Sequence, residues 1–295
     1  MKNNSAPTPL RLMAIHAHPD DESSKGAATT ARYVDEGIEV MVVSCTGGER
    51  GDVINDQAQE LVDLHGIHQV RQLEMAEAAR ILGVRHEWLG FMDSGFTEGE
   101  PLPEDAFALV PLAVSVPPLV KLLREFRPQV VTTYDENGGY PHPDHLQTHV
   151  ITIAAIAAAA DPEAHPELGP DHQVQKVYYN QQFHKKQVAA LHNRLIEQET
   201  ESPYEEWLAN WEDKPEDADR ITTSIECARY FPIRDAALKA HATQIEPDGR
   251  WFAVSTQLQQ QAWPTEEFQL ASSLVETALP ETDLFAGLRE KSMKD

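Results

Sequence analysis

The chain has 295 residues, of which 41% are hydrophobic and 24% charged; this ordinary globular composition rules out bulk disorder and suits one α/β domain with an appendage, or two domains. Its 24 Lys+Arg against 48 Asp+Glu leave a net charge of −24, which repels phosphate backbones and anionic lipids and argues against nucleic acid or a membrane surface as partner. With two cysteines, Cys45 and Cys227, a polar stretch at 1–9 and no apolar run near the roughly 18 residues of a membrane span, the expectation is a soluble cytoplasmic protein without disulfides.

The first apolar run, Leu12-Met-Ala-Ile-His16, reads as a strand, and a helical stretch over 23–36 follows, closed by Gly37. Residues 39–46 are β-rich and continuous, as a buried parallel strand should be, so the opening is a βαβ unit with a right-handed crossover. Gly47-Gly-Glu-Arg-Gly51 is a loop without the spacing of a phosphate-binding motif. Its glycines are read as letting the chain pass close to a site, with Glu49 or Arg50 near substrate. Val70, Leu73, Ala76, Ala79 and Leu82 place a helix over 70–82, ended by Gly83. A short strand at 87–89, a helix at 119–126 stopped by Arg127-Pro128, a buried strand at 129–134 and an Ala/Ile helix at 145–160 continue the alternation. That order predicts an α/β fold: a doubly wound, Rossmann-like, mostly parallel sheet flanked by helices, with a smaller C-terminal portion or lid.

After Asp161 the texture changes to a Pro-rich linker, a strand at 177–180, an acidic segment at 199–220, a helix at 234–243 and a charged tail from Arg289. We divide the chain into a catalytic core, 1–160, and a portion at 161–295 that completes the sheet and substrate pocket within one integrated domain. The acidic segment carries Tyr204, Trp207 and Trp211 among its carboxylates. It reads either as a lid with aromatic anchors or as a solvated acidic loop.

Chemistry concentrates in two clusters. His16-Ala-His18-Pro-Asp20-Asp21-Glu22 follows the first strand, and Tyr140-Pro-His142-Pro-Asp144-His145 follows the strand at 129–134. Sites in open α/β sheets form at the carboxyl ends of strands, so both clusters lie where a site is expected and can converge in space. Asp-Asp-Glu opening a helix is also a common capping pattern. The second cluster, with histidines bracketed by prolines at another strand end, tips the reading toward a metal. A catalytic zinc takes three protein ligands and keeps a position for water, and two imidazoles with one carboxylate suit a borderline-soft divalent ion. His18, Asp21 and His145 supply such a set; Asp20 is placed to take a proton from water, and His142 or Tyr140 to stabilise charge on a carbonyl oxygen. Iron(II) or cobalt would be accepted by the same donors. His65, His68, His86, His172 and His184 lack partners in the sequence and read as surface or structural.

His18-Pro-Asp-Asp21 with His142-Pro-Asp-His145 resembles the signature of the LmbE-like, N-acetylglucosaminyl-phosphatidylinositol de-N-acetylase-type superfamily of zinc deacetylases, and the similarity runs from Leu12 to about Gln244. Within it, Ser23-Ser-Lys-Gly-Ala27, Cys45-Thr-Gly-Gly-Glu-Arg-Gly51 and His241-Ala-Thr-Gln244 are similar to the mycothiol branch. The resemblance implies zinc held by His18, Asp21 and His145, Asp20 as general base, and His142 stabilising the oxyanion and assisting the leaving amine. It further implies that Asp144 orients His142, that Tyr140 polarises the substrate carbonyl, and that Arg71 and Asp93 hold a sugar-inositol moiety. Lys25 stands either facing the substrate or as a solvated helix lysine. The implied reaction is hydrolysis of an amide in a small-molecule thiol conjugate. Its rivals are deacetylation of N-acetylglucosaminyl-inositol and a non-catalytic sugar-binding module. No feature of the chain specifies an oligomeric state.

Overall fold

The computed structural model describes residues 9–181, 183–211, 220–246 and 249–289. β1 (Arg11–His16) leads through the short α1 (Asp21–Ser24) and α2 (Ala27–Asp35) into β2 (Glu39–Thr46). The expected single helix over 23–36 is therefore broken. Gly26 between the two pieces adopts φ 82°, a left-handed conformation that glycine takes without a steric cost. α3 (Gln59–His65), α4 (Ile67–Leu82) and β3 (Arg85–Phe91) follow, then α5 (Leu112–Phe126), β4 (Val130–Thr133) and α6 (Pro143–Ala160). The C-terminal portion adds β5 (Lys176–Gln181), α7 (Lys185–Glu197), α8 (Glu205–Ala209), β6 (Thr223–Glu226), α9 (Phe231–Ala240), α10 (Thr256–Ala262) and β7 (Thr265–Ser273).

The strands form one seven-stranded sheet in the order β3-β2-β1-β4-β5-β7-β6. β1 to β5 are mutually parallel, and β7 runs antiparallel between β5 and β6. β1, β2 and β4 are buried almost throughout, as apolar central strands covered by helices on both faces must be. Met13, Ile15, Met41, Val43 and Val131 pack with α5 and α6, whereas Ala14 and Val42 meet Met75 and Ala79 of α4 on the other face. α4 buries Val70, Arg71, Glu74, Met75, Ala78, Ala79 and Leu82, while Leu73 and Ala76 of the anticipated stripe are exposed. Arg71 and Glu74 thus take places an apolar pattern assigns to hydrophobes.

α5 begins seven residues before the expected start and runs through Pro117 and Pro118. Those prolines withhold donors from the carbonyls of Ala113 and Val114, and both of these residues are exposed to solvent. β6, β7, α7 and α10 have no counterpart in the expected elements. The far end of the sheet is tied down by a buried pair: Lys176 Nζ lies 2.5 Å from Glu281 Oε1, and Tyr178 Oη donates to Glu281 Oε2 at 2.6 Å. Leu284 and Phe285 pack with Tyr33 and Tyr178 beneath this pair. Both cysteines are free and buried. No helix among the described residues is long and apolar enough to cross a membrane.

Candidate active site

The sheet order reverses direction at β1, flanked by β2 and β4, so the loop after β1 opens at a switch point of the fold. In this loop Asp20 has φ 106° and ψ −28°, a conformation costly for any side chain other than glycine. Asp20 occupies the N-cap of α1 but makes no capping bond with its side chain; the capping explanation of this motif therefore fails for Asp20. Its carboxylate instead lies 3.1 Å from Arg71 Nη2. The buried Arg71 also donates to Pro19 O at 2.6 Å and to Gly48 O at 3.0 Å. Burial raises the Asp20 pKa above the ordinary carboxylate value, with Arg71 opposing.

From below, the Asp20 backbone N–H donates to Glu22 Oε2 at 2.9 Å. Glu22 Oε1 accepts in turn from Ser23 Oγ at 2.5 Å and from His241 Nε2 at 2.7 Å. Glu22 and His241 are buried. Burial works against the Glu22 carboxylate, but the charge and hydrogen bond of His241 outweigh it and hold its pKa down to about 2.

Asp21 is the junction of the two clusters. Its Oδ2 accepts from Tyr134 Oη at 2.6 Å and from the His18 backbone N–H at 3.0 Å. The same oxygen lies 3.5 Å from His18 Nδ1 and 3.5 Å from His145 Nε2. Lys25 Nζ meets Asp21 Oδ1 at 2.5 Å and Ser24 Oγ at 3.1 Å, so it faces into the site. His145 Nδ1 donates to Gly138 O at 2.9 Å, which leaves the lone pair on Nε2. That Nε2 is buried and without a hydrogen-bond partner. One ligand atom each from His18, His142 and His145 lies within 4.8 Å of the others, and His18, Asp93 and Asp144 form a second such group. An orphaned imidazole nitrogen among imidazoles and carboxylates fits a divalent transition ion. The local field favours a cation: burial disfavours a charged His18, but Asp144 and Asp21 prevail and raise its pKa to about 10.

The second loop departs from expectation in one respect. The Asp144 carboxylate, expected to orient His142, instead accepts from Ser94 N at 2.9 Å and from Ser94 Oγ, and lies 3.2 Å from His18 Nε2. Asp144 reaches His142 through its backbone: its N–H donates to His142 Nδ1 at 3.2 Å, His142 being the N-cap of α6. Nδ1 is thereby the acceptor, so a neutral ring carries its proton on Nε2. Burial and the neighbouring His18 and His145 lower the His142 pKa to about 4, which keeps the ring neutral. The half-exposed Tyr140 has its ring centroid 4.6 Å from His145 and 6.1 Å from His142. Asp93 is buried, accepts from Gly95 N at 2.9 Å and lies 3.7 Å from His18 Nε2. Glu49 accepts from Asp93 N at 3.2 Å and Arg50 donates to Asp93 O at 2.7 Å. The Gly-rich loop thus supports Asp93 and Arg71. Tyr134, Ser94 and the Glu22–His241 pair were not anticipated as site residues, because their partners lie far away in the chain.

A family model for GlcNAc-PI de-N-acetylases matches residues 13–156, the span that contains both clusters. The chain is 56% identical to mycothiol S-conjugate amidase of Streptomyces coelicolor, over 96% of this chain and 99% of that protein. It belongs to the GlcNAc-PI de-N-acetylase family. It is also 40% identical to 1D-myo-inositol 2-acetamido-2-deoxy-alpha-D-glucopyranoside deacetylase of Streptomyces avermitilis, over 94% of this chain and 97% of that one. Among solved structures, N,N'-diacetylchitobiose deacetylase from Pyrococcus horikoshii shares the fold, with a TM-score of 0.60 and 19% identity over 88% of this chain and 83% of the other. The family match spans both His/Asp loops of this chain.

Proposed function

We propose that the protein is a zinc-dependent cytoplasmic amidase that cleaves mycothiol S-conjugates to a mercapturic acid and glucosaminyl-inositol, a detoxification reaction. The observation that carries this reading is the 56% identity with a mycothiol S-conjugate amidase along nearly the whole chain. His18, Asp21 and His145 would hold the ion; the same donors accept iron(II). When bound, such an ion supplies Lewis acidity and lowers the pKa of water. Asp20, its affinity for a proton raised by burial, takes the proton from the attacking water. His142, neutral with its proton on Nε2, hydrogen-bonds the oxyanion and assists departure of the amine, which takes the proton that Asp20 gained from water. Tyr140 polarises the carbonyl from the exposed side, and Asp144 steadies His18. Asp93 and Lys25 face the substrate. Arg71, its guanidinium committed to Pro19, Gly48 and Asp20, positions the base and through it the sugar end of the site. Residues 161–295 complete the sheet and the substrate pocket within the same domain.

The 40% identity to the deacetylase favours a second reading, removal of acetate from N-acetylglucosaminyl-inositol. Amine release from a mycothiol S-conjugate and from the acetyl substrate, each with and without chelator, separates the two. We expect the conjugate to be preferred, with activity lost to chelator and restored by zinc. Faster release from the acetyl substrate would transfer the protein to the deacetylase reading, and no release from either would leave a sugar-binding module.

A further inference from the structure

Beside α1 lies a cavity of about 310 Å³, walled by Phe183, Leu191, Trp207, Leu238 and Trp251, with Ser24 on the side of the active site. Its aromatic walls come from the C-terminal portion, where Phe183 and Trp251 stand edge to face at 4.8 Å. Trp207 and Leu191 belong to a small apolar cluster of α7, α8 and α10, separate from the core under the sheet. The charged residues that line the cavity are paired within the protein. Arg234 bonds Asp235 at 2.8 Å and Gln259 at 2.7 Å, and Asp235 accepts from Thr256 at 2.6 Å. Glu266 accepts from the backbone of Ala28 and Thr29, and Glu267 from Trp263 Nε1 at 2.9 Å. Such walls offer apolar contact area and no uncommitted cation, and they carry three carboxylates against one guanidinium, so they select a neutral apolar occupant over an anion. The volume lies at the lower limit of small-molecule pockets, enough for a ring system and too little for a peptide.

Its place in the sheet says which part of a substrate would enter. Gly48, Arg71 and Asp93 stand on the β2–β3 side of the loop that follows β1, whereas the cavity stands on the β5–β7 side. The two groups attached to an amide leave the scissile carbon in opposite directions. A substrate lying along the carboxyl edge therefore places its amine part on one flank and its acyl part on the other. The wall next to the reacting centre is a single turn: Ser24 Oγ is 3.1 Å from Lys25 Nζ, which is 2.5 Å from Asp21 Oδ1.

We propose that this cavity receives the neutral apolar group carried on the cysteine sulfur of the conjugate, so that the C-terminal portion selects the substrate. The inference rests on the amidase reading above. Two variants test it: Gln187→Trp, which fills the space from α7, and Trp251→Ala, which removes an aromatic wall. The measurement is the ratio of kcat/KM for the S-benzyl over the S-methyl conjugate of mycothiol. We expect this ratio to fall about tenfold in each variant, the size of discrimination that one apolar contact supplies. An unchanged ratio in both variants would overturn the proposal. Calorimetric titration of the wild-type protein and of Gln187→Trp with S-benzyl-N-acetylcysteine gives an arm that needs no turnover. Saturable binding, weakened at least about fivefold in the variant, is expected for a filled apolar pocket; no binding, or equal binding by both proteins, would sink the cavity assignment. If the wild-type protein releases amine from neither conjugate, the amidase reading fails, and the titration still decides what the cavity binds.

Discussion

Asp20 is held in a conformation that a free aspartate seldom visits, at a cost of about 1–3 kcal/mol. Arg71 grips its carboxylate from above and Glu22 its backbone N–H from below, with His241 fixing Glu22. In this conformation the carboxylate meets Arg71 and makes no capping bond to the amides of α1. Asp20→Asn keeps this shape and removes the basic oxygen. Turnover should fall by about 10²–10⁴, the usual worth of a general base, with metal content by elemental analysis unchanged; undiminished turnover would remove Asp20 from that role. His145→Ala tests the neighbouring function, because it deletes the orphaned Nε2. Bound metal should be lost on dialysis, and full zinc occupancy would take His145 out of the ligand set. Both clusters were legible because each is contiguous and each ends a strand. Their supports were not: Tyr134 stands 113 positions from Asp21, and His241 stands 219 from Glu22. The motif His241-Ala-Thr-Gln244 marks His241, but no local pattern says that its partner is Glu22.

Among the connecting segments, the turn after β2 has the tightest tolerance. Gly48 has φ 64°, and a Cβ there would fall 2.1 Å from Arg71 Nη1. Gly48→Ala must therefore displace the guanidinium that holds Pro19 and Asp20. Since a misplacement of about 1 Å near the reacting atoms can cost on the order of 10²-fold, kcat should fall at least about tenfold with a smaller change in KM. Stopped assays on the purified variant would show this, and a wild-type kcat would mean that the guanidinium does not position the base. The central strands were readable because they are apolar on both faces. β7 was not, since Thr265-Glu-Glu-Phe-Gln-Leu-Ala-Ser-Ser shows no clear alternation of apolar and polar residues. Its buried Glu266 and Glu267 are satisfied by the start of α2 and by Trp263. The acidic segment divides: Tyr204 is buried, and Trp207 and Trp211 pack against the same small cluster, as anchors should. Residues 212–219, with much of the charge, lie outside the described residues, so the choice between lid and solvated loop is not made by the fold.

At the scale of the molecule, the two histidine loops follow β1 and β4, and the far side of the sheet is closed by residues within 265–289. Asp283 ties that closure: it lies 2.5 Å from Arg289 Nε and accepts from Tyr33 Oη at 2.9 Å. Burial works against its charge, but Arg289 prevails and lowers its pKa below the ordinary carboxylate value. A depressed folded pKa means stability that is present above the unfolded value near 4 and lost as pH falls through the folded one. Denaturation midpoints of the wild type and Asp283→Asn should differ at pH 7, by no more than about 1 kcal/mol for a partly exposed pair. They should converge below pH 4; a gap that widens in acid would refute the linkage.

Lys176 also bears on how the protein is made. It enters the sheet with β5, yet Glu281, which neutralises it, is 105 positions later. At ribosomal speeds of about 5–20 residues per second, that separation is on the order of 5–20 s. Throughout this interval β5 lacks both its β7 partner and the carboxylate that neutralises its lysine, whose ammonium group is stable meanwhile only in water. Docking of β5 therefore becomes favourable only once β7 and Glu281 are available to pair its edge and its lysine. The residues that pair the β5 edge and those that neutralise its lysine thus come as one unit, within 265–289.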